Sequence, residues 1–273
     1  MTDSEYLFDN EALEAEDRFA ALAALFDHVT FAHLDALGVA VGWRCLEVGA
    51  GGGSVASWLA QRVGTSGHVL ATDLDVRWLG ARLHAPNIDV RRHNVVADPL
   101  PDGSFDLVHE RLVLLHIPER VAALGRLVSA LRPGGWLLAE DFDTEIASDD
   151  FLEPRSEEEE LGNTIMRGVR SLLAQRGADT AFGHKLPRLL HEAGLEEVHA
   201  DAYQAIEAGD AVRRLRRANL TQVADELVDQ AMVSRADVER YLTALDGRSL
   251  SPRSSLLVSA WGRRPLVGHD GVP

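Results

Sequence analysis

A mostly parallel α/β fold, its sheet covered by helices on both faces, is predicted from two observations. Over about a hundred residues from Trp43, short strand-like apolar runs alternate with runs of helical period. A glycine-rich turn, Gly49-Ala-Gly-Gly-Gly53, follows the first strand directly, at the carboxyl end where such sheets hold their ligands.

The elements follow in order. Residues 10–37 read as two helices. Asn10 caps the first, which carries Leu13, Phe19, Leu22 and Phe26 near one face. Asp27 caps the second, which carries Val29, Phe31, Leu34 and Leu37 and closes at Gly38. Trp43–Val48 is a strand. A helix with Val55, Trp58, Leu59 and Val63 ends at Gly64. His68–Thr72 is a second strand, ending at Asp73. Asp75–Leu83 reads as a helix, Ile88–Arg91 as a strand and Phe105–His109 as the next. Pro118 opens a helix that Pro133-Gly134-Gly135 stops, and Trp136–Ala139 is a further strand. Ser156 and Glu159 form a capping box for a helix with the face Leu161, Ile165, Val169 and Leu172. Lys185–Ala193, Asp210–Ala231 and Arg235–Ala244 are helical, Glu197–Tyr203 and Ser254–Trp261 are strands, and a loose tail follows.

Charge and composition narrow the function. The 273 residues hold 43 acids against 27 bases, a net charge of −16. That charge repels phosphate backbones and argues against nucleic acid or an anionic membrane surface as partner. Cys45 is the one cysteine, so no disulfide framework or thiolate metal cluster is expected. The acidic start lacks a signal-peptide pattern, and no apolar run reaches membrane-spanning length. A soluble, cytoplasmic protein is the expectation, with a homodimer as the default assembly. Eighteen of the acids lie in residues 1–17 and 140–160.

Strand ends name the site candidates. The dinucleotide fingerprint fails at Ser54, which argues against a nicotinamide oxidoreductase. Gly49, Gly51 and Gly53 instead form G-x-G-x-G with Glu47 two residues earlier, and Asp73 ends the next strand. Four motifs then stand in order: Leu46-Glu-Val-Gly-Ala-Gly-Gly-Gly53, Ala71-Thr-Asp-Leu-Asp75, the stretch from Asn94 to Asp106, and Leu131-Arg-Pro-Gly-Gly135. Together they resemble class I S-adenosylmethionine-dependent methyltransferases, most closely the small-molecule enzymes of quinone and natural-product biosynthesis.

The resemblance implies a Rossmann-like, seven-stranded sheet, mostly parallel with an antiparallel last strand, helices on both faces, N-terminal helices and helical lid insertions. It implies a helical cover over residues 1–40, a cofactor-binding core over 41–142, lid insertions with the last two strands over 143–265, and a tail over 266–273. It implies S-adenosyl-L-methionine as cofactor and S-adenosyl-L-homocysteine as product; no metal is expected, because the eleven histidines show no H-E-x-x-H or similar spacing. Gly49, Ala50, Gly51 and Gly53 would lie against the methionine part, and Glu47 would order its ammonium. Asp73 would hold the ribose hydroxyls, with Asp75 the alternative and helix capping a further role for Asp73. Leu74 would cover the adenine, and Asn94 and Val95 would read its edge, although the family usually has Asp at Asn94.

Methyl transfer needs alignment, exclusion of water and, for some acceptors, a base. His109, also near the cofactor, is the first candidate base, with Glu110 and His116 behind it. Tyr6 and Phe8, Arg111, Asp141 and Phe142 are candidates for contacting the acceptor. Arg213, Arg214, Arg216 and Arg217 read as a solvated face before an anion site. The acidic segments, placed at the rim, suggest a neutral or cationic small-molecule acceptor. The alternatives are a cyclase or a non-catalytic binding subunit on the same fold.

Overall fold

The computed structural model describes residues 7–8, 14–146, 149–206 and 209–266. The chain runs α1 (Glu14–Ala36), β1 (Arg44–Val48), α2 (Ser54–Val63), β2 (His68–Asp73), α3 (Arg77–Arg82), β3 (Ile88–Arg92), β4 (Phe105–Arg111), α4 (Arg120–Ala130) and β5 (Leu131–Asp143). It continues through α5 (Glu157–Gln175), α6 (Leu186–Glu192), β6 (Glu196–Tyr203), α7 (Gly209–Asp229), α8 (Arg235–Asp246) and β7 (Leu256–Arg263). The strands form one seven-stranded sheet in the order β3-β2-β1-β4-β5-β7-β6. β7 is antiparallel to both neighbours, and the other pairs are parallel. Strand order reverses between β1 and β4, which opens a crevice at their carboxyl ends.

Both faces of the sheet are covered, and the period of two explains how. Cys45, Val69, Leu107 and Leu138 point to the face closed by α2 and the end of α1. Leu46, Leu70, Val108 and Leu137 point to the face closed by α4 and α6. A separate apolar cluster joins α5, α7 and α8, with Ile165, Leu172, Leu227 and Tyr241 at its centre. Leu7 and Phe8 pack into that cluster, and Ala21, Leu25 and Phe26 of α1 meet Val212 and Leu215 of α7.

Several boundaries differ from the sequence reading. The first two expected helices are a single helix, α1. Asp27 caps nothing; its carboxylate turns inward to Arg111 and Ser54. α3 starts only at Arg77, because the Asp75 carboxylate accepts the Arg77 N–H at 3.1 Å and turns the chain. Pro133-Gly134-Gly135 lies inside β5, at a register shift between Phe105 and Leu107 of the partner strand. β7 runs on to Arg263, where a tail was expected. Half of the expected capping box forms: the Ser156 hydroxyl accepts the Glu159 N–H at 3.2 Å, while the Glu159 carboxylate accepts from the Arg155 N–H at 2.5 Å.

Candidate active site

A cavity of about 820 Å³ opens at the crevice. It has two ends. The inner end is lined by Glu47, Gly49, Ala50, Gly51, Asp73 and Asn94, with Leu74 and Val95 beside them. The outer end is lined by Phe142 of β5, Met166, Val169 and Leu173 of α5, and Leu215 and Asn219 of α7. Phe8 and Arg18 bridge the two from the N-terminal side.

The inner end is shaped by backbone conformation and one carboxylate. Gly49, Gly51 and Gly53 have φ of 67°, 49° and 80°, a region costly to other residues. Asp73 accepts the Gly51 N–H at 2.8 Å and the Asp75 N–H at 3.1 Å. Burial raises the pKa of its carboxyl, and the Gly51 and Asp75 amides pull it back. Asp73 therefore both shapes the glycine loop and lines the cavity. Asp75 also lines it, but its carboxylate is tied to Arg77 at 2.7 Å. Asn94 accepts the Val96 N–H at 2.9 Å through its amide oxygen, closing the turn after β3. Gly53 is the exception in the loop: it does not line the cavity but starts α2, with the side chains of Leu79 and Leu83 against it.

At Gly49 an added Cβ would stand 2.2 Å from Val113 Cγ2, with φ in the left-handed region. Gly49→Ala is therefore expected to destabilise the fold by about 2–4 kcal/mol, as backbone strain and overpacking add. A urea denaturation midpoint measures it; a loss below about 1 kcal/mol would show that Val113 yields.

Beneath the inner end lies a charged seam. Parallel register sets Glu47 beside His109 and, in the next row, Arg111 beside Glu140; the antiparallel pairings of β7 extend that row through Ser259 to Asp201. His109 Nδ1 bonds Glu47 at 2.6 Å, and its Nε2 meets Glu140 at 3.3 Å. Glu140 also accepts from Thr30 at 2.5 Å and Ser259 at 2.6 Å. Arg111 donates to Thr30 and to Asp27, each at 2.8 Å. His33 bonds Asp201 at 3.0 Å. Asp27, Thr30 and His33 recur every three residues, so one stripe of α1 covers the seam.

The catalytic candidates are redistributed by this geometry. His109 is completely buried and does not line the cavity. Burial opposes its charge, but attraction to Glu47 and hydrogen bonds to Glu140 and Glu47 outweigh it and raise its pKa to about 10. Buried in the seam, His109 does not reach the cavity, so the structure does not bring it beside an acceptor or the cofactor. Glu110 points to the opposite face and is also fully buried. It accepts the Val113 and Leu114 N–H groups at 3.2 and 3.4 Å, bracing the 3-10 turn Leu114–His116. Burial lifts its pKa to about 7 against the pull of His109. His116 alone of the three lines the cavity. Burial, then Arg18 and Arg120, push its pKa down to about 3, so it is a neutral imidazole.

The acceptor candidates divide as well. Phe8, Arg111 and Phe142 line the cavity, whereas Tyr6 lies outside the described residues. Asp141 is fully buried away from it, its carboxyl pKa raised well above the usual range by burial and by Glu110. Glu140, Asp141 and Asp143 are all completely buried, so this part of the acidic segment is not on the rim. Arg213, Arg216 and Arg217 are paired with Asp210, Asp150 and Asp246 and do not form an anion site.

Sequence reasoning missed Arg18, Phe19 and Leu112. Phe19 covers Gly51 and Gly52, and the Arg18 guanidinium lies 4.9 Å from its ring centre. Leu112 lines the cavity with φ of 60°, a strained value that places the turn after β4. Periodicity put Phe19 on a helix face but gave no sign that it or Arg18 reaches the site, which follows from how α1 crosses the strand ends; Leu112 gets there through its own turn after β4.

Residues 46–139 match a family model described as a methyltransferase domain. The curated relative methyltransferase str2 of Strobilurus tenacellus is 35% identical over 162 residues, covering 57% of this chain and 54% of that protein. The chain thus spans about half the length of that relative. Among solved structures, phosphoethanolamine N-methyltransferase 2 of Haemonchus contortus, with phosphomonomethylethanolamine and S-adenosylhomocysteine, aligns at TM-score 0.54 and 16% identity over 87% of this chain and 53% of that one. The [4+2]-cyclase SpnF aligns at TM-score 0.52 and 17% identity over 88% of this chain and 82% of that one. No described helix is long and apolar enough to cross a membrane.

Proposed function

We propose that this chain, whose core belongs to the class I S-adenosylmethionine-dependent methyltransferases, transfers a methyl group to a neutral, largely apolar small molecule held in the outer chamber. One observation carries the reading: a single cavity joins the glycine loop and Asp73 to a chamber walled by Phe142, Met166, Val169, Leu173 and Leu215. A volume of about 820 Å³ is near the upper end for small-molecule sites and suits a cofactor beside a second molecule.

The inner residues fit S-adenosylmethionine on their own chemistry. Glu47 presents a carboxylate for an ammonium, and Asp73 presents one for paired hydroxyls. The glycine loop leaves backbone bare for close approach. When bound, the cofactor supplies an activated methyl group on a sulfonium. The protein's part is then to align the acceptor, exclude water and accept a hydrogen bond. Neutral His116 can accept one from an acceptor hydroxyl, and its depressed basicity makes it an orienting group more than a proton store. Among the described residues, the acids lining the cavity are Glu47, Asp73 and Asp75, all at the inner end, whereas Arg18, Arg111, Arg170 and Arg216 lie along the outer part. The described outer lining thus offers a cationic acceptor no carboxylate, which supports a neutral one. A place in natural-product metabolism accords with the apolar chamber.

Calorimetry with S-adenosylhomocysteine, followed by mass spectrometry of a panel of neutral phenols and enols incubated with S-adenosylmethionine, tests the reading. Binding and a gain of one methyl are expected. Absence of binding at millimolar ligand overturns it, and an isomerised product without added mass assigns cyclisation instead.

A further inference from the structure

We propose that His109, hydrogen-bonded between Glu47 and Glu140, is a positioning residue for cofactor recognition: it aims the Glu47 carboxylate at the cofactor ammonium and ties it to the cover helix α1. The inference rests on the proposed pairing of Glu47 with that ammonium and adds the groups that make the pairing work.

Geometry carries the first step. Glu47 lines the cavity while only 3% exposed, so most of its surface is spent on protein. One oxygen faces His109 Nδ1 at 2.6 Å, which restricts rotation of the carboxylate. His109 touches neither end of the cavity and acts only through its neighbours.

Charge carries the second. Two buried carboxylates that share a neighbourhood cannot both stay ionised without a cation between them. His109 stands between the two, while His33, 3.6 Å from Glu140, and Arg111 also face Glu140. With its pKa raised to about 10, His109 donates from both ring nitrogens through the neutral range. Without it, the Glu47 carboxylate loses the hydrogen bond that fixes its direction, and with that the aim that an ammonium needs. Glu140 in turn accepts from Thr30 of α1 at 2.5 Å and from Ser259 of β7 at 2.6 Å. Arg111 clamps Thr30 and Asp27 from below, each at 2.8 Å. The helix whose Phe19 covers the glycine loop is thereby fastened to the same acid that fastens His109.

The experiment compares two ligands by calorimetry on the full chain. S-adenosylhomocysteine carries the ammonium; 5′-methylthioadenosine has the same nucleoside and no amino-acid portion. Wild-type protein should prefer the first, and Glu47→Gln should remove the preference. His109→Gln should weaken S-adenosylhomocysteine at least about tenfold and methylthioadenosine less than about threefold, since one charge-assisted contact is lost. Equal weakening of both ligands would make His109 merely structural and overturn the proposal. Wild-type protein without a preference would instead overturn the Glu47 reading. If His109→Gln does not fold, ¹⁵N NMR of the wild type decides. An imidazole protonated on both nitrogens at about pH 8.5, shifting with S-adenosylhomocysteine and not with methylthioadenosine, supports the proposal. A neutral tautomer there overturns it.

Discussion

Asp150→Ala is expected to cost about 3–5 kcal/mol of folding stability, one of the two largest effects anticipated in this molecule. Arg216 and Asp150 have side chains only 4% and 5% exposed. Arg216 Nε and Nη2 each donate to an Asp150 oxygen at 2.7 Å, a bidentate pair. Removing the carboxylate leaves a guanidinium stranded among apolar side chains, with the Arg253 carbonyl at 3.3 Å as its remaining acceptor. The Tyr241 phenol packs nearby, its pKa pushed up by burial and by Asp150, so it cannot take over as an anion. The consequence for function follows from place. Leu215, Arg216 and Asn219 of α7 line the outer chamber, and α7 is also the helix on which α1 rests. Urea unfolding at unchanged slope measures the loss. The double variant Asp150→Ala/Arg216→Met should recover most of it, because the buried charge goes with its partner. A single-variant loss below about 1 kcal/mol would show that the pair is hydrated in solution.

The chain displayed its sheet more clearly than its site, and the reason is physical. Strand and helix periods are local, so β1, β2, β4 and the glycine loop were readable from a few residues each. Glu47, Gly49, Gly51, Asp73 and Asn94 sit at strand ends, and a parallel sheet gathers strand ends in one crevice whatever the details. The catalytic candidates were less legible for a related reason: His116 lines the cavity, whereas His109 and Glu110 do not. His109 follows four residues of β4 that are buried, and position along a strand does not say whether a side chain ends in the cavity or under it. Only the register, which pairs His109 with Glu47 and Arg111 with Glu140, turns those isolated polar residues into a seam. Asp27 looked like a cap because Asp is a good cap. Its partner Arg111 is 84 residues away, and no local pattern encodes that. Arg18 and Phe19 reach the site by the same long-range route, through the packing of α1.

The other large effect concerns Asp73. Asp73→Ala is expected to weaken S-adenosylhomocysteine by roughly a hundredfold or more, since hydrogen bonds to a charged group contribute about 1.5–3 kcal/mol each and a carboxylate facing two ribose hydroxyls offers two. The structure adds a second route to the same loss. Asp73 holds the Gly51 N–H at 2.8 Å, and Gly51 sits at φ 49° under the ring of Phe19. Without the carboxylate that amide loses its acceptor and the loop its brace. The two routes separate in Asp73→Asn. An amide oxygen can still accept one bond, so the loop is expected to stay closed while the hydroxyl pair loses its charged partner. Amide hydrogen exchange at Gly51 and Gly52 reads the loop, and calorimetry reads the ligand. Asp73→Ala should accelerate exchange and weaken binding; Asp73→Asn should weaken binding by about tenfold with exchange near wild type. Affinity unchanged in Asp73→Ala would move the hydroxyl contact to Asp75, which lines the same cavity but is already paired with Arg77. Burial holds the Asp73 carboxyl above its usual pKa, so its ionised form, and the hydroxyl binding that needs it, is lost first as pH falls. Affinity should therefore drop on the acid side earlier than an ordinary aspartate would allow, and Asp73→Asn should abolish that drop.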